Sequence, residues 1–273
     1  MKKLFFPLLF ILTTLVAKAQ KSDSTKWKPQ FKISVNYNSG LNYYGRTDSL
    51  KSKAIFPLAE IWLGNKFYMN AAPIFVYNDQ QSLQYAGSVG ALGFLNVTHK
   101  WITNIYVLKP FYKESSQLVQ SALKAQAGIS LTYLNKVLNL TAGGDMKYSD
   151  KLDFGATAGV DHIFRIQNKD NSVIVIDPSF TINAGGQQFS RTYSRKLGGL
   201  FPRQQEVTEN VQAFNLLSME ATMPLIYNKG KLQFIATPAY VMPKNLLKVA
   251  GRPDLSENGE DMFYMTLTAK YRF

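Results

Sequence analysis

The sequence predicts an all-β fold, a closed antiparallel up-and-down transmembrane β-barrel of about twelve strands. Three observations carry that prediction. An export signal opens the chain, alternation of apolar and polar residues recurs in stretches too long for most soluble strands, and a small polar turn returns at a nearly constant interval.

The export signal comes first. Lys2 and Lys3 precede an apolar run from Leu4 to Val16, and Ala17-Lys18-Ala19 then offers small residues at alternate positions. This is the layout of a secretory signal peptide over residues 1–19, cleaved near Ala19/Gln20, with residues 20–273 as one barrel domain. No later stretch approaches the roughly eighteen apolar residues of a membrane helix. The chain has no cysteine, which excludes disulfides, a lipidated cysteine at the cleavage site and thiolate metal sites. The formal charge is +13, and removing Lys2, Lys3 and Lys18 leaves +10. An exported chain rarely meets nucleic acid, so the excess points instead to phosphate-bearing lipid headgroups or small anionic solutes.

The strands follow in order. In "FKISVNYNSGLNYY", Phe31, Ile33, Val35, Tyr37, Leu41 and Tyr43 share one face, while Lys32, Ser34, Asn36, Asn38 and Asn42 share the other, which predicts a first strand over 30–44. A strand at 83–97 is accompanied by weaker patterns at 54–63, 67–77 and 101–112, which carry Trp62, Phe67, Tyr68 and Trp101 beside their turns. "ALKAQAGISLTYL" alternates cleanly within 119–133, and 137–147 follows. "LDFGATAGVDHIF" and "VIVIDPSFTINAGG" give strands at 152–166 and 172–188. "PLIYNKGKLQFIATP" joins 209–226 to 231–242, and "FYMTLTAKYRF" ends the chain at 260–273.

The turns fix the topology. Asn65-Lys66, Thr98-His99-Lys100, Asn135-Lys136, Asn168-Lys169 and Asn228-Lys229-Gly230 close alternate connections, and the first four recur at steps of 34, 36 and 33 residues. The other connections vary in length, and two are long: Gln188 to Asn210, and Met242 to Asp261, where Pro243 and Gly251 suggest a short helix. Uniformly short turns at one end and long connections at the other are the signature of a membrane barrel, which must close because an open edge leaves backbone groups unpaired in hydrocarbon. Aromatic residues gather near strand ends, among them Tyr43, Tyr44, Tyr77, Tyr112, Tyr240, Phe263 and Tyr271, as membrane–water interfaces favour. A soluble sandwich or lipocalin-like barrel would also alternate, but its outer face would not need to be so uniformly polar and glycine-containing.

On its export signal and its final strand, "MFYMTLTAKYRF", ending in Phe273, the chain resembles the outer-membrane β-barrel proteins of Gram-negative bacteria, including small porin-like proteins. The resemblance implies an integral outer-membrane location among lipids and lipopolysaccharide. It also implies that Phe273 is the signal read by the barrel-assembly machinery.

The chemistry is sparse. Lys32, Glu60, Lys124, Asp145, Lys147, Asp153, Asp161, Arg165, Asp177, Glu220, Lys270 and Arg272 fall on faces opposite the apolar residues and are the candidate lumen charges. They form either a field that selects solutes or a set of ion pairs filling a narrow lumen. Arg191, Arg195, Lys196 and Arg203 are candidate outer-loop anion contacts. No catalytic, cofactor-binding or metal-ligating residue stands out, and no cofactor is expected: no EF-hand loop, P-loop or dinucleotide fingerprint is present. Three functions stay open. A narrow porin or passive solute channel leads; a non-conducting structural or surface-interaction barrel acting through its basic outer loops follows. The third, an outer-membrane lipid hydrolase, would need His99 or His162 beside a serine nucleophile.

Overall fold

The structure, a computed structural model, describes residues 28–48, 50–113, 123–186, 214–248 and 256–273. These residues build twelve spanning strands. They are β1 (Gln30–Asn38), β2 (Lys53–Leu63), β3 (Phe67–Asn78), β4 (Gln81–Val97), β5 (Trp101–Tyr112), β6 (Ala125–Tyr133) and β7 (Asn139–Tyr148). β8 (Leu152–Asp161, continued by Phe164–Gln167), β9 (Val173–Ile176, continued by Ser179–Gly185) and β10 (Asn215–Thr222, continued by Leu225–Lys229) are each interrupted once. β11 (Leu232–Pro243) and β12 (Met262–Arg272) complete the wall. Each strand pairs antiparallel with its sequence neighbours, and β1 closes on β12 from Lys32↔Arg272 to Asn38↔Thr266. Closure in this way gives every full spanning strand a partner on both sides, as hydrocarbon demands, and among the described residues the short continuation Phe164–Gln167 at the short-turn end has a strand partner on one side only.

Alternation decides the faces. Outward positions hold side chains such as Leu92 and Phe154, each 59% exposed, with Val107, Leu131 and Leu267 on neighbouring strands. Each such side chain gains about 2 kcal/mol when hydrocarbon covers it. Aromatic pairs ring the outward surface at the short-turn end: Phe31–Phe273, Phe67–Phe94, Trp101–Tyr133 and His162–Phe164, at centroid distances of 5.3, 5.0, 5.1 and 4.4 Å. Phe75–Tyr85 marks the other rim. Phe273 also donates its N–H to the Phe31 carbonyl at 2.9 Å, so the end of the chain lies on the β1 seam.

The predicted turns recur because their polar side chains replace missing backbone partners. Thr98 Oγ1 accepts from the Trp101 N–H at 3.0 Å, and Asn135 Oδ1 accepts from the Val137 N–H at 3.1 Å. The three interruptions lie side by side across β8, β9 and β10, two of them at Pro178 and Pro224, which have no N–H to give. Proline carbonyls keep the wall continuous: Pro178 O accepts from His162 N, Pro224 O from Asp177 N, and Pro238 O of the uninterrupted β11 from Met223 N.

Three expectations need correction. β1 stops at Asn38, and residues 39–48 leave the wall, so Tyr43 and Tyr44 are not rim aromatics. Residues 244–248 form no helix, and Val249 to Leu255 lie outside the described residues. The inward face is polar on one side only: Phe56, Leu58, Ile74, Val89, Leu95, Ile102 and Leu108 point inward from β2 to β5. The signal peptide and the outer-loop contacts Arg191, Arg195, Lys196 and Arg203 also lie outside the described residues.

Candidate functional site: the lumen and its inward connection

The connection from β1 to β2 turns into the barrel mouth. Ser39 leaves β1 while still bonded to β12, its N–H to the Met265 carbonyl at 3.0 Å and the Met265 N–H to its own Oγ at 2.8 Å. Tyr43 and Arg46 then pair as a miniature hairpin through two backbone bonds of 2.8 and 3.1 Å. Its two central residues, Tyr44 and Gly45, have φ of 56° and 75°, as a type I′ turn requires. Glycine is needed at 45, where a Cβ would lie 2.8 Å from Pro243 Cδ. Tyr44 is a bulky side chain at positive φ, which costs on the order of 1–3 kcal/mol and persists only where the surroundings impose it. Asp48 closes the return, its Oδ1 accepting from the N–H groups of Leu50 and Ser52 at 3.1 and 3.0 Å.

Arg46 holds the hairpin down. Its side chain is 1% exposed and its Nε lies 2.9 Å from Glu257 Oε2, itself 5% exposed. Nη1 donates to the carbonyls of Tyr44 and Leu217 at 3.2 and 3.1 Å, and Nη2 to the Lys244 carbonyl at 3.2 Å. One guanidinium thus ties the first connection to β10 and to the β11–β12 connection. The Thr47 N–H adds a 3.0 Å bond to the Asn258 carbonyl. Leu41 packs with Phe56, Ile74 and Tyr112 around the buried Ala54, Val76 and Ala86, so the apolar inner face is where the connection docks.

The hairpin tip meets the opposite wall. Lys147, 2% exposed, pairs with Asp145 and places its ammonium 5.3 Å from the centre of the Tyr44 ring. Burial pushes the Tyr43 phenol well above its ordinary pKa, with the neighbouring Tyr44, Asp145 and Asp153 adding to it. Burial raises Tyr44 too, against the opposing pull of Lys147.

Below the hairpin, one row of directly opposed residues climbs around the lumen: Trp62 faces Tyr68, then Gly93, Tyr106, Gly128, Asp145 and Gly155. Because strands are tilted, a row perpendicular to them rises from the short-turn end toward the opposite mouth. Large side chains alternate with glycines along its upper part. The Tyr68 hydroxyl donates to Asn104 Oδ1 at 3.0 Å, and Gln126 Nε2 donates to the Tyr106 oxygen at 3.0 Å and Asp145 Oδ2 at 3.3 Å.

The candidate lumen charges separate into groups. Lys270 Nζ reaches Glu60 Oε1 at 2.7 Å across β1, and Lys32 stands 4.3 Å from the Trp62 ring centre with Arg272 opposite it on β12. Asp145, Lys147 and Asp153 form the cluster beneath the hairpin, with Lys147 directly opposite Asp153. Asp161 accepts from Asn139 Nδ2 at 2.6 Å and stands near Asp177 at the strand interruptions, while Arg165 is exposed at the short-turn end. Glu220 accepts from the Tyr264 hydroxyl. Lys124 is a correction: it sits on the rim, 53% exposed, paired with Asp150 at 3.0 Å and leaning over the outward Tyr148 ring, because it precedes the paired ladder, which begins at Ala125↔Tyr148.

The hydrolase geometry is not assembled around His162, whose Nδ1 lies 2.6 Å from the Val137 carbonyl and whose ring packs on Phe164. His99 lies in the exposed turn after β4. Among the described residues, no group of three or more His, Cys, Asp and Glu side chains is placed to hold a metal ion. Sequence reasoning missed Arg46, Glu257 and Tyr44. The Asn-Ser-Gly at 38–40 and the Gly45 break were the signals that could have found the inward hairpin.

No family model matches the chain, and no curated protein sequence does. Solved structures with a similar fold include the KdgM porin (8% identity, 89% of this chain and 99% of that one, TM-score 0.47). The NanC porin (11% identity, 88% and 98%, TM-score 0.44) and an outer membrane channel from Pseudomonas putida F1 (9% identity, 93% and 100%, TM-score 0.44) are others. The barrel assignment rests on the strand pairing, not on these likenesses.

Proposed function

We propose that the protein is an integral outer-membrane barrel that works as a narrow, gated channel for small solutes, with the short-turn end in the periplasm. The observation that carries this reading is the Tyr43–Arg46 hairpin, folded into the mouth and held by the buried Arg46–Glu257 pair. Desolvating two charges is costly, so such a pair specifies an arrangement better than it stabilises one. A strained turn docked by the Arg46 contacts and the Thr47–Asn258 bond against a preformed wall gives the channel a docked and a released arrangement. The outward apolar belt with an aromatic rim supports the membrane location. Toward the short-turn mouth Lys32, Lys270, Arg272 and Arg165 stand against Glu60, Asp161 and Asp177, a small cation excess that favours anions.

Single-channel recording of the refolded mature protein in a planar bilayer tests this. The expected result is rare, discrete openings with anion preference in the natural sequence and frequent ones in Arg46→Ala. A folded, heat-modifiable barrel that stays silent in both forms favours the non-conducting interaction barrel, a reading that the buried, hydrogen-bonded Ser34 and Asn36 on β1 would then support.

A further inference from the structure

Trp62, Tyr68 and Tyr106 form a stepped aromatic surface along the lumen row. Each tyrosine ring lies across a glycine of the next strand. A Cβ on Gly128 would come within 2.7 Å of the Tyr106 ring, and one on Gly93 would overlap the Tyr68 ring. A ring laid flat on the wall turns its free face to the lumen. All three side chains are only partly buried. Covering strand glycines with aromatic rings would account for the tyrosines alone. It does not account for Trp62, which faces Tyr68 with ring centres 5.1 Å apart and has Lys32 above it.

We infer that this row is a binding track for oligosaccharides. A pyranose ring has an apolar C–H face that stacks on an aromatic ring, and hydroxyls at its rim that need donors and acceptors. The track supplies both at each step: Asn104 stands at the edge of Tyr68, and Gln126 at the edge of Tyr106. Tyr68 and Tyr106 are two strands apart, about 10 Å, which suits a chain of repeating rings better than a single planar solute. Above Tyr106 the row ends under the docked hairpin at Asp145 and Lys147, so the track is entered from the short-turn end while the mouth is shut. Transport along the track rests on the channel reading; binding to it does not.

The test uses the refolded barrel in detergent with Trp27→Phe and Trp101→Phe, which leaves Trp62 as the sole tryptophan of the three. Maltohexaose and hexagalacturonate serve as neutral and acidic probes. The expected result is a saturable change in Trp62 fluorescence, with affinity falling about tenfold in Tyr106→Ala, which leaves Trp62 and its neighbour Tyr68 in place. Gly128→Ala keeps the phenol but lifts it off the wall, and a smaller loss is expected; heat-modifiable migration confirms that each variant is folded. Tighter binding of the acidic sugar adds the charges at the lower end to the site, and equal binding leaves stacking as its basis. No fluorescence response to either sugar from a folded barrel overturns the track, as does an affinity unchanged by Tyr106→Ala. A barrel that conducts but ignores both sugars overturns the track and leaves the channel. One that binds sugar and never conducts, even as Arg46→Ala, keeps the track and overturns the channel.

Discussion

The two ends of the barrel are built from the same strands and differ in what their connections do. At the short-turn end, Asn and Thr side chains satisfy their own tight turns, and those turns stay out of the lumen. At the other end, residues 39–48 fold inward and the interior becomes dry enough to bury Arg46, Asp48, Lys147 and Asp153. The wall itself is built alike at both ends. On the channel reading, the inward connection controls opening through a few charged and strained residues, while the ladder from β1 to β12 closes the barrel.

That contrast can be broken most forcefully at Arg46. Arg46→Ala leaves Glu257 buried without its cation, a loss of about 3–5 kcal/mol to the docked state. Open probability and hydrogen exchange over residues 41–48 should both rise sharply, with the strands unaffected; exchange that stays slow would mean the hairpin is held by something else. Lys147→Met acts from the opposite wall. Asp145 keeps Gln126 as a partner at 3.3 Å, so the expected loss is smaller, about 2 kcal/mol, read as a modest rise in opening.

The short-turn mouth should respond differently. Lys32→Gln with Arg272→Gln should weaken anion preference without changing how often the channel opens. In the natural sequence that preference should fade toward 1 M salt, where the screening length is about 3 Å. Smallest is the exposed turn after β8. Hydrogen bonds from the Ser172 hydroxyl, then from Lys229, hold the Asp170 carboxyl well below the usual carboxylate range. A depressed pKa stabilises the fold above the unfolded value, and the contribution is lost as pH falls through the folded one. Asp170→Asn should therefore lower the thermal midpoint slightly at neutral pH and lose its effect in strong acid, as a pH series of melting curves would show.

Much of the fold was legible because a membrane wall repeats one rule. Strict alternation from Leu123 to Tyr133 and from Phe263 to Phe273 leaves little freedom in face or type, and four Asn-Lys turns with Thr98-His99-Lys100 mark every second connection. The same rule concealed the inward connection. Alternation runs on through Leu41 and Tyr43 although the strand ends at Asn38, and a Tyr-Gly pair is a weaker turn signal than Asn-Gly. Lys124 was placed inward by extending the pattern one residue past the ladder. The aromatic row was hidden for another reason. Trp62, Tyr68, Tyr106 and Asp145 come together only through register across successive strands, and local pattern does not specify register.

The central claim is that the inward connection shuts the mouth. It is tested most directly by tethering that connection, which the absence of native cysteine makes clean. Thr47 and Asn258 are joined by a backbone bond of 3.0 Å, and such a pair stands about 5.5 Å apart at Cα, within reach of a disulfide. Single-channel current of the Thr47→Cys, Asn258→Cys barrel, recorded oxidised and then reduced in the same bilayer, should be silent first and show discrete openings after reduction. Equal conductance in both states would contradict the gate.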